Sequence, residues 1–363
     1  MDNKLPNFLK LMPHYDDNLK IDAALIYSTT NRFYFSEFKS SEGLILITRE
    51  ESYFIVDFRY YANAVKQVKN MNVVLLSDFK TTISAIIKRH NLKNILIENE
   101  GISLAEVIRL EKLFKECHVA LIKTKTLDDI IHKLRKIKND EEVKNIKIAQ
   151  EISERAFNKI LPLIKIGMTE KEIAFNLEFL IRKEGAEAIS FDLIVASGKN
   201  SAVPHAEPSD RGIESGDFIT IDMGAIYNGY HSDMTRTIAL GNISEEQVNI
   251  YNIVSKSQNK AMSLIKSGVL CGNVDKVARD FINENGYKGY FGHALGHGVG
   301  LDIHENPFLS PKSNEILEEG MVITIEPGIY VPDKFGVRIE DMVVVTKNGY
   351  ENLTKSNKDL IIL

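Results

Sequence analysis

Three of the chain's nine histidines, His293, His297 and His304, fall in one glycine-rich stretch, FGHALGHGVGLDIHENP, residues 291–307. Imidazoles gathered this closely can bind a metal or move protons. His293 and His297 are four apart and on a helix would share a face, as in the H-E-x-x-H zinc site. The intervening residues rule that out. Gly292, Gly296, Gly298 and Gly300 make a poor helix interior, and Ala294 stands where the general-base glutamate should follow the first histidine. The stretch reads instead as extended and tightly packed. In such a segment 293 and 297 still point one way, and the glycines admit another backbone or a ligand.

Four acids are candidates for the same chemistry. In GDFITIDMGAIYNGYHSDMTRTIAL the pair Asn228-Gly229 signals a two-residue hairpin turn. Folding there pairs positions whose numbers sum to 457, so Asp222 lies opposite Thr235 and Asp233 is its diagonal neighbour on the same face. In MVITIEPGIYVPDKFGVRIEDMVVV, Glu326 ends one strand, and Arg338 and Glu340 project from one face of the next. The longer loop between them sets no register. Asp222, Glu326 and Glu340 sit within or at the edge of apolar strands, where an unpaired charge is costly. A metal removes that cost. Four carboxylates and one imidazole, taken as His297, form an oxygen-rich set suited to Mn, Co, Zn or Fe(II), with enough ligands for two ions. Paired ions about 3.5 to 4 Å apart can polarise a carbonyl, as in two-metal aminopeptidases.

The elements that position these residues are also legible. Residues 21 to about 125 alternate apolar runs (AALIYS, GLILIT, SYFIVD, NVVLL, NILIE) with helical segments, the signature of an α/β domain. Asn139 and Glu142 form a capping box for a long helix through VKNIKIAQEISERAFNKIL. The chain then repeats itself at an offset of 101, aligning Ile164, Lys165, Gly167, Ile173, Ile181 and Gly185 with Ile265, Lys266, Gly268, Val274, Ile282 and Gly286. Two related halves, each ending in a hairpin with two acids, would bring all four acids together between them.

Composition narrows the class. With 44% hydrophobic and 26% charged residues the chain is globular, and its 363 residues suffice for about two domains. A formal charge of -5 argues against a nucleic-acid partner, and the basic run Lys133 to Lys138 reads as a solvated helix surface. No run is long and apolar enough for a membrane span or a secretory signal, so a cytoplasmic location is expected. Cys117 and Cys271 are far apart in sequence, and Cys271 reads as packing, so any metal must be held by oxygen and nitrogen.

The series Asp222, Asp233, His297, Glu326 and Glu340, set in IDMGAIYNGYHSDMTRT, GHGVGLDIHENP, TIEPGIY and VRIED, resembles the M24 "pita-bread" metallopeptidases. That family includes methionine aminopeptidase, aminopeptidase P, prolidase and the metal-free creatinase. The resemblance spans nearly the whole chain, since NRFYFSEF and DFRYY look like the creatinase and prolidase N-terminal domain, which methionine aminopeptidases lack. It implies a creatinase/prolidase-like α/β domain over 1–128 and an α+β pita-bread catalytic domain with an internal pseudo-two-fold over 129–363. Intact ligand positions point to the proline-peptidase branch. There the resemblance assigns Asp222, Asp233, His297, Glu326 and Glu340 to two divalent ions, manganese ahead of cobalt, zinc or iron. It assigns His205, His293 and His304 to substrate and transition state, Glu326 to the water's proton, Arg338 to a position near the metals, and Tyr330 to the pocket wall. The implied reaction is hydrolysis of the X-Pro bond, with an Xaa-Pro aminopeptidase slightly preferred over a prolidase restricted to dipeptides. A homodimer is expected. A non-catalytic binding protein on this fold would be expected to have lost ligands. Ala206, where the family usually has glycine, and the following EPSD segment depart from the pattern, and His231 reads as a solvent-edge residue.

Overall fold

The computed structural model describes residues 4–363. The chain divides into two compact units, the first ending at Arg135 and the second running from Lys136 to Leu363. The sequence reading divides the chain at 128/129, but the helix Thr126–Lys136 starts inside the first unit. Its Asp128 accepts the backbone N–H groups of Asn99 and Glu100 at 3.0 Å each, tying that helix to the end of a strand.

The first unit is built on a six-stranded sheet in the order Asn72–Leu75, Ser52–Val56, Leu44–Thr48, Ala23–Ile26, Asn94–Ile97, Ala120–Ile122. The five apolar runs read from the sequence all lie in it. The three central strands pair antiparallel, and the outer connections are parallel through helices. Strands such as AALI and LILIT are buried along their whole length because helices cover the sheet.

The second unit shows the repeat directly. Helices Asp140–Ile160 and Glu170–Lys183 precede one hairpin, and helices Glu245–Met262 and Cys271–Ile282 precede the other. The capping box at Asn139 and Glu142 is present, and equivalent boxes open at Thr169 and Ser244. Gly167 and Gly268 both adopt φ of +90° with nothing near a would-be Cβ. The aligned glycines are therefore required by backbone conformation, not by space. Cys271 is fully buried at a helix start, and burial pushes its thiol up to about 12.

Strand Phe218–Met223 pairs with Met234–Ala239 in the expected register, Asp222 opposite Thr235. Asn228 and Gly229 both take positive φ at the turn. The second hairpin does have a fixed register. Ile325 pairs with Asp341 and Gly328 with Arg338, so both pairings sum to 666 and Glu326 falls across from Glu340. The histidine stretch runs as Gly296–Gly298 inside a five-stranded sheet, extended as expected. The basic run 133–138 departs from the sequence reading: Arg135 and Lys138 are buried, and Arg135 donates to Asn31 Oδ1 at 2.8 Å. No helix among the described residues is long and apolar enough to cross a membrane.

A Cβ on Gly296 would lie 2.0 Å from the carbonyl oxygen of Thr324. Gly296→Ala must therefore push two strands apart, and by urea unfolding should cost about 3 kcal/mol or more, the upper end of core overpacking. Gly268→Ala meets only backbone strain and should cost about 1 to 2 kcal/mol.

Candidate metal centre

The two hairpins bring Asp222, Asp233, Glu326 and Glu340 to one cleft of about 500 Å³, whose walls also include His205, His293, His297, His304 and Arg338. Asp233, His297 and Glu340 each present a ligand atom within 4.8 Å of the others. His297 Nε2 lies 3.4 Å from Glu326 Oε1 and 3.6 Å from Asp233 Oδ2. The other ring nitrogen, Nδ1, sits 3.0 Å from the carbonyl of Gly298 and so carries the proton, leaving Nε2 a free lone pair toward the acids.

The electrostatics of this cluster are those of a cation site. Burial, then the charges of Glu340, Asp222 and Glu326, hold the Asp233 carboxyl well above its ordinary range. Burial and the charges of Glu326 and Asp222 do the same to Glu340. Glu326 is pushed up to about 8 by burial, against the lowering charge of Arg338. Burial and neighbouring His304 pull His297 down to about 4, so it is a neutral lone-pair donor at pH 7. Asp222 Oδ1 and Glu340 Oε1 are buried with no hydrogen-bond partner. Orphaned carboxylate oxygens beside a neutral imidazole fit divalent ions held by oxygen and nitrogen.

The walls of the cleft are held by a network around Arg338. Its Nη2 donates to Asp222 Oδ2 at 2.6 Å, its Nε to Thr235 Oγ1 at 3.1 Å, and its Nη1 to the Pro204 carbonyl and the Tyr330 hydroxyl, each at 3.0 Å. Thr235 passes a hydrogen bond on to Glu340 Oε2 at 2.7 Å. His293 Nδ1 donates to the Ala294 carbonyl at 2.8 Å, so its Nε2 accepts from Tyr330 at 2.9 Å. Burial, with Arg338 nearby, lowers His293 to about 4 and keeps it neutral. His205 and His304 line the cleft as exposed rings, and His304 packs edge-on to His297 with centroids 4.3 Å apart. His231 is not among the lining residues, although its backbone N–H donates to Gly300 at 2.8 Å.

Several positioning residues escaped the sequence reading. Glu170, fully buried, gathers Ser197, Asn200 and Ser209 and so fixes both ends of the loop carrying His205. The Ser209 contact gives the unusual EPSD segment a structural purpose. Thr324 accepts from the His297 backbone at 3.0 Å and donates to Glu326 at 3.2 Å. Arg279, held by Asp275, donates to the His293 carbonyl at 2.7 Å. Only Glu170 carried a signal, as an acid one residue beyond a helix cap.

Residues 144–347 match the family described as metallopeptidase family M24, and residues 15–137 match the creatinase/prolidase N-terminal domain. The chain is 41% identical to an Xaa-Pro dipeptidase of Pyrococcus horikoshii over 99% of each chain. It superposes on the Xaa-Pro dipeptidase of Bacillus anthracis with a TM-score of 0.93 at 41% identity, covering 99% of both. It also superposes on an X-Pro aminopeptidase of Thermotoga maritima with a TM-score of 0.89 at 40% identity, covering 94% and 98%.

The raised carboxyls make metal binding and stability depend on pH. Glu326 has a folded value near 8 against an ordinary 4.5, so the stability it lends the metal-free fold is present below about 4.5 and lost as pH rises toward 8. Calorimetry of metal-stripped protein should show a melting temperature that falls between pH 5 and 8. Manganese should reverse the trend and release protons at pH 7, while His297→Ala should bind less metal.

Proposed function

Because the chain belongs to metallopeptidase family M24, we propose that it is an Xaa-Pro dipeptidase that cleaves the bond between an N-terminal residue and proline. The observation that carries this reading is full-length similarity, at 41% identity, to proteins named Xaa-Pro dipeptidase. The lean toward an aminopeptidase taken from the sequence gives way to it. One similarity keeps the aminopeptidase as a second reading, the 40% identity to the Thermotoga enzyme.

In this reading Asp222, Asp233, His297, Glu326 and Glu340 hold two divalent ions, manganese first. Bound there, the ions supply Lewis-acid polarisation and make water a stronger acid. The chain's residues do the rest. Glu326, a carboxylate once it holds the ions, takes a proton from the attacking water and returns it to the proline nitrogen as the C–N bond breaks. His205 and His304, exposed on the cleft wall, donate to the oxygen of the tetrahedral intermediate. Arg338 and Tyr330 hold Asp222, His293 and the His205 loop in place. Apolar walls such as Phe191, Leu193, Ile303 and Phe308 suit a proline ring, whose tertiary amide offers no N–H to recognise.

Stripped protein reloaded with manganese should be incubated with Ala-Pro, Ala-Pro-Ala and Ala-Ala-Ala and assayed for free alanine. A dipeptidase releases it from Ala-Pro alone. Release from Ala-Pro-Ala transfers the assignment to the aminopeptidase, and no metal-dependent release from either would sink both. His304→Ala should lower kcat by about 10²- to 10³-fold, the loss typical of one oxyanion donor.

A further inference from the structure

The residue after His304 carries an ion pair that the mechanism above does not use. Glu305 Oε2 lies 3.0 Å from Lys138 Nζ, and the two side chains are only 7% and 2% exposed. The second carboxylate oxygen accepts the backbone N–H of Asp302 at 3.1 Å. Gly300 lies so close that a Cβ there would come within 2.5 Å of Glu305 Oε2. Gly300 N–H in turn donates to the Asp302 carbonyl at 3.1 Å. The backbone from Gly300 to Glu305 is thus wound around one buried carboxylate, and His304 leaves from that winding toward the cleft.

The anchor is firm at its other end. Lys138 immediately precedes the capping box at Asn139 and Glu142, and its backbone N–H donates to the Gly320 carbonyl at 2.9 Å. An ammonium and a carboxylate so nearly withdrawn from water are costly to bury, and losing one partner leaves the other uncompensated. Such a pair is weak support for stability alone, but it holds a loop in one place.

We propose that Lys138 and Glu305 form a clamp that positions His304 over the cleft, so that Lys138 is a positioning residue acting through His304. The inference rests on the reading that His304 touches the reacting peptide. It assigns a role to a lysine that no part of the cleft contains, since Lys138 is absent from the described lining residues.

Lys138→Met should lower kcat on the cleaved X-Pro substrate roughly 10- to 100-fold, the scale of about an ångström of misplacement, with KM and bound metal unchanged. In a His304→Ala background the same change should cost less than about twofold, because the residue it acts through is gone. Glu305→Gln keeps the shape and loses the charge, so it carries the test if Lys138→Met fails to fold. It should show a smaller loss that also vanishes with His304→Ala. Independently of activity, ¹H–¹⁵N spectra of histidine-labelled protein, assigned with His304→Ala, should show the His304 ring resonances moving in either clamp variant. Equal losses in both backgrounds, full activity in the clamp variants, or an unmoved His304 resonance each overturn the clamp. If the unaltered protein cuts no proline peptide, the functional reading fails by itself, and the resonance test still decides whether the pair positions His304.

Discussion

Four carboxylates buried within one cleft repel each other, and the second unit is arranged around making that tolerable. In the metal-free protein burial first, and the charges of neighbouring acids after it, hold Asp233, Glu326 and Glu340 above their ordinary range, and the protons they retain relieve the repulsion. A divalent ion relieves it without protons and takes up the orphaned oxygens of Asp222 and Glu340. The surrounding strands are apolar because a low-dielectric wall strengthens each of these interactions. Any charge the cleft does not neutralise is therefore expensive, and the scaffold answers with hydrogen bonds from Arg338, Thr235 and Thr324.

The repeat explains how two pairs of acids come to face one another. Each half supplies a helix pair, a glycine-bearing turn at φ of +90°, and a hairpin with two acids. The halves are not equal. The first hairpin closes tightly at Asn228-Gly229 and sets its acids diagonally, whereas the second sets Glu326 directly across from Glu340. Arg236, buried in the first hairpin, seams the two by donating to the Glu340 carbonyl at 2.6 Å and to Asp341 Oδ1 at 2.9 Å. The backbone of one acid is thereby fixed by a side chain from the opposite half.

Much of this was legible in the sequence where a local rule fixes geometry. A two-residue Asn-Gly turn leaves one register, so the Asp222 and Thr235 pairing followed from arithmetic, and glycine matches at a constant offset exposed the repeat. The second hairpin was less legible because a turn through Pro332, Asp333 and Lys334 does not dictate its register. The basic run 133–138 is where composition misleads, since Arg135 and Lys138 are buried. Lys138 belongs to a run of basic residues, and composition favours solvent for such a run, yet whether the end of a run faces water depends on what folds against it 167 residues later. Glu170 was missed for the same reason, since its three partners lie 27 to 39 residues downstream.

The identity of the residue at 338 follows from the same constraint. Its partners, Asp222, Thr235, Tyr330 and the Pro204 carbonyl, lie in different directions around one buried point. A guanidinium offers five donors in a rigid fork and stays charged when buried, whereas an ammonium is a compact charge that loses its proton more readily out of water. Only the fork can neutralise part of the acid cluster while holding Thr235, and so Glu340, in place on one side and Tyr330, and so His293, on the other. The His205 loop depends on it too, through Pro204. One cation thus couples the acids that would hold the metals to the histidines that would meet the substrate.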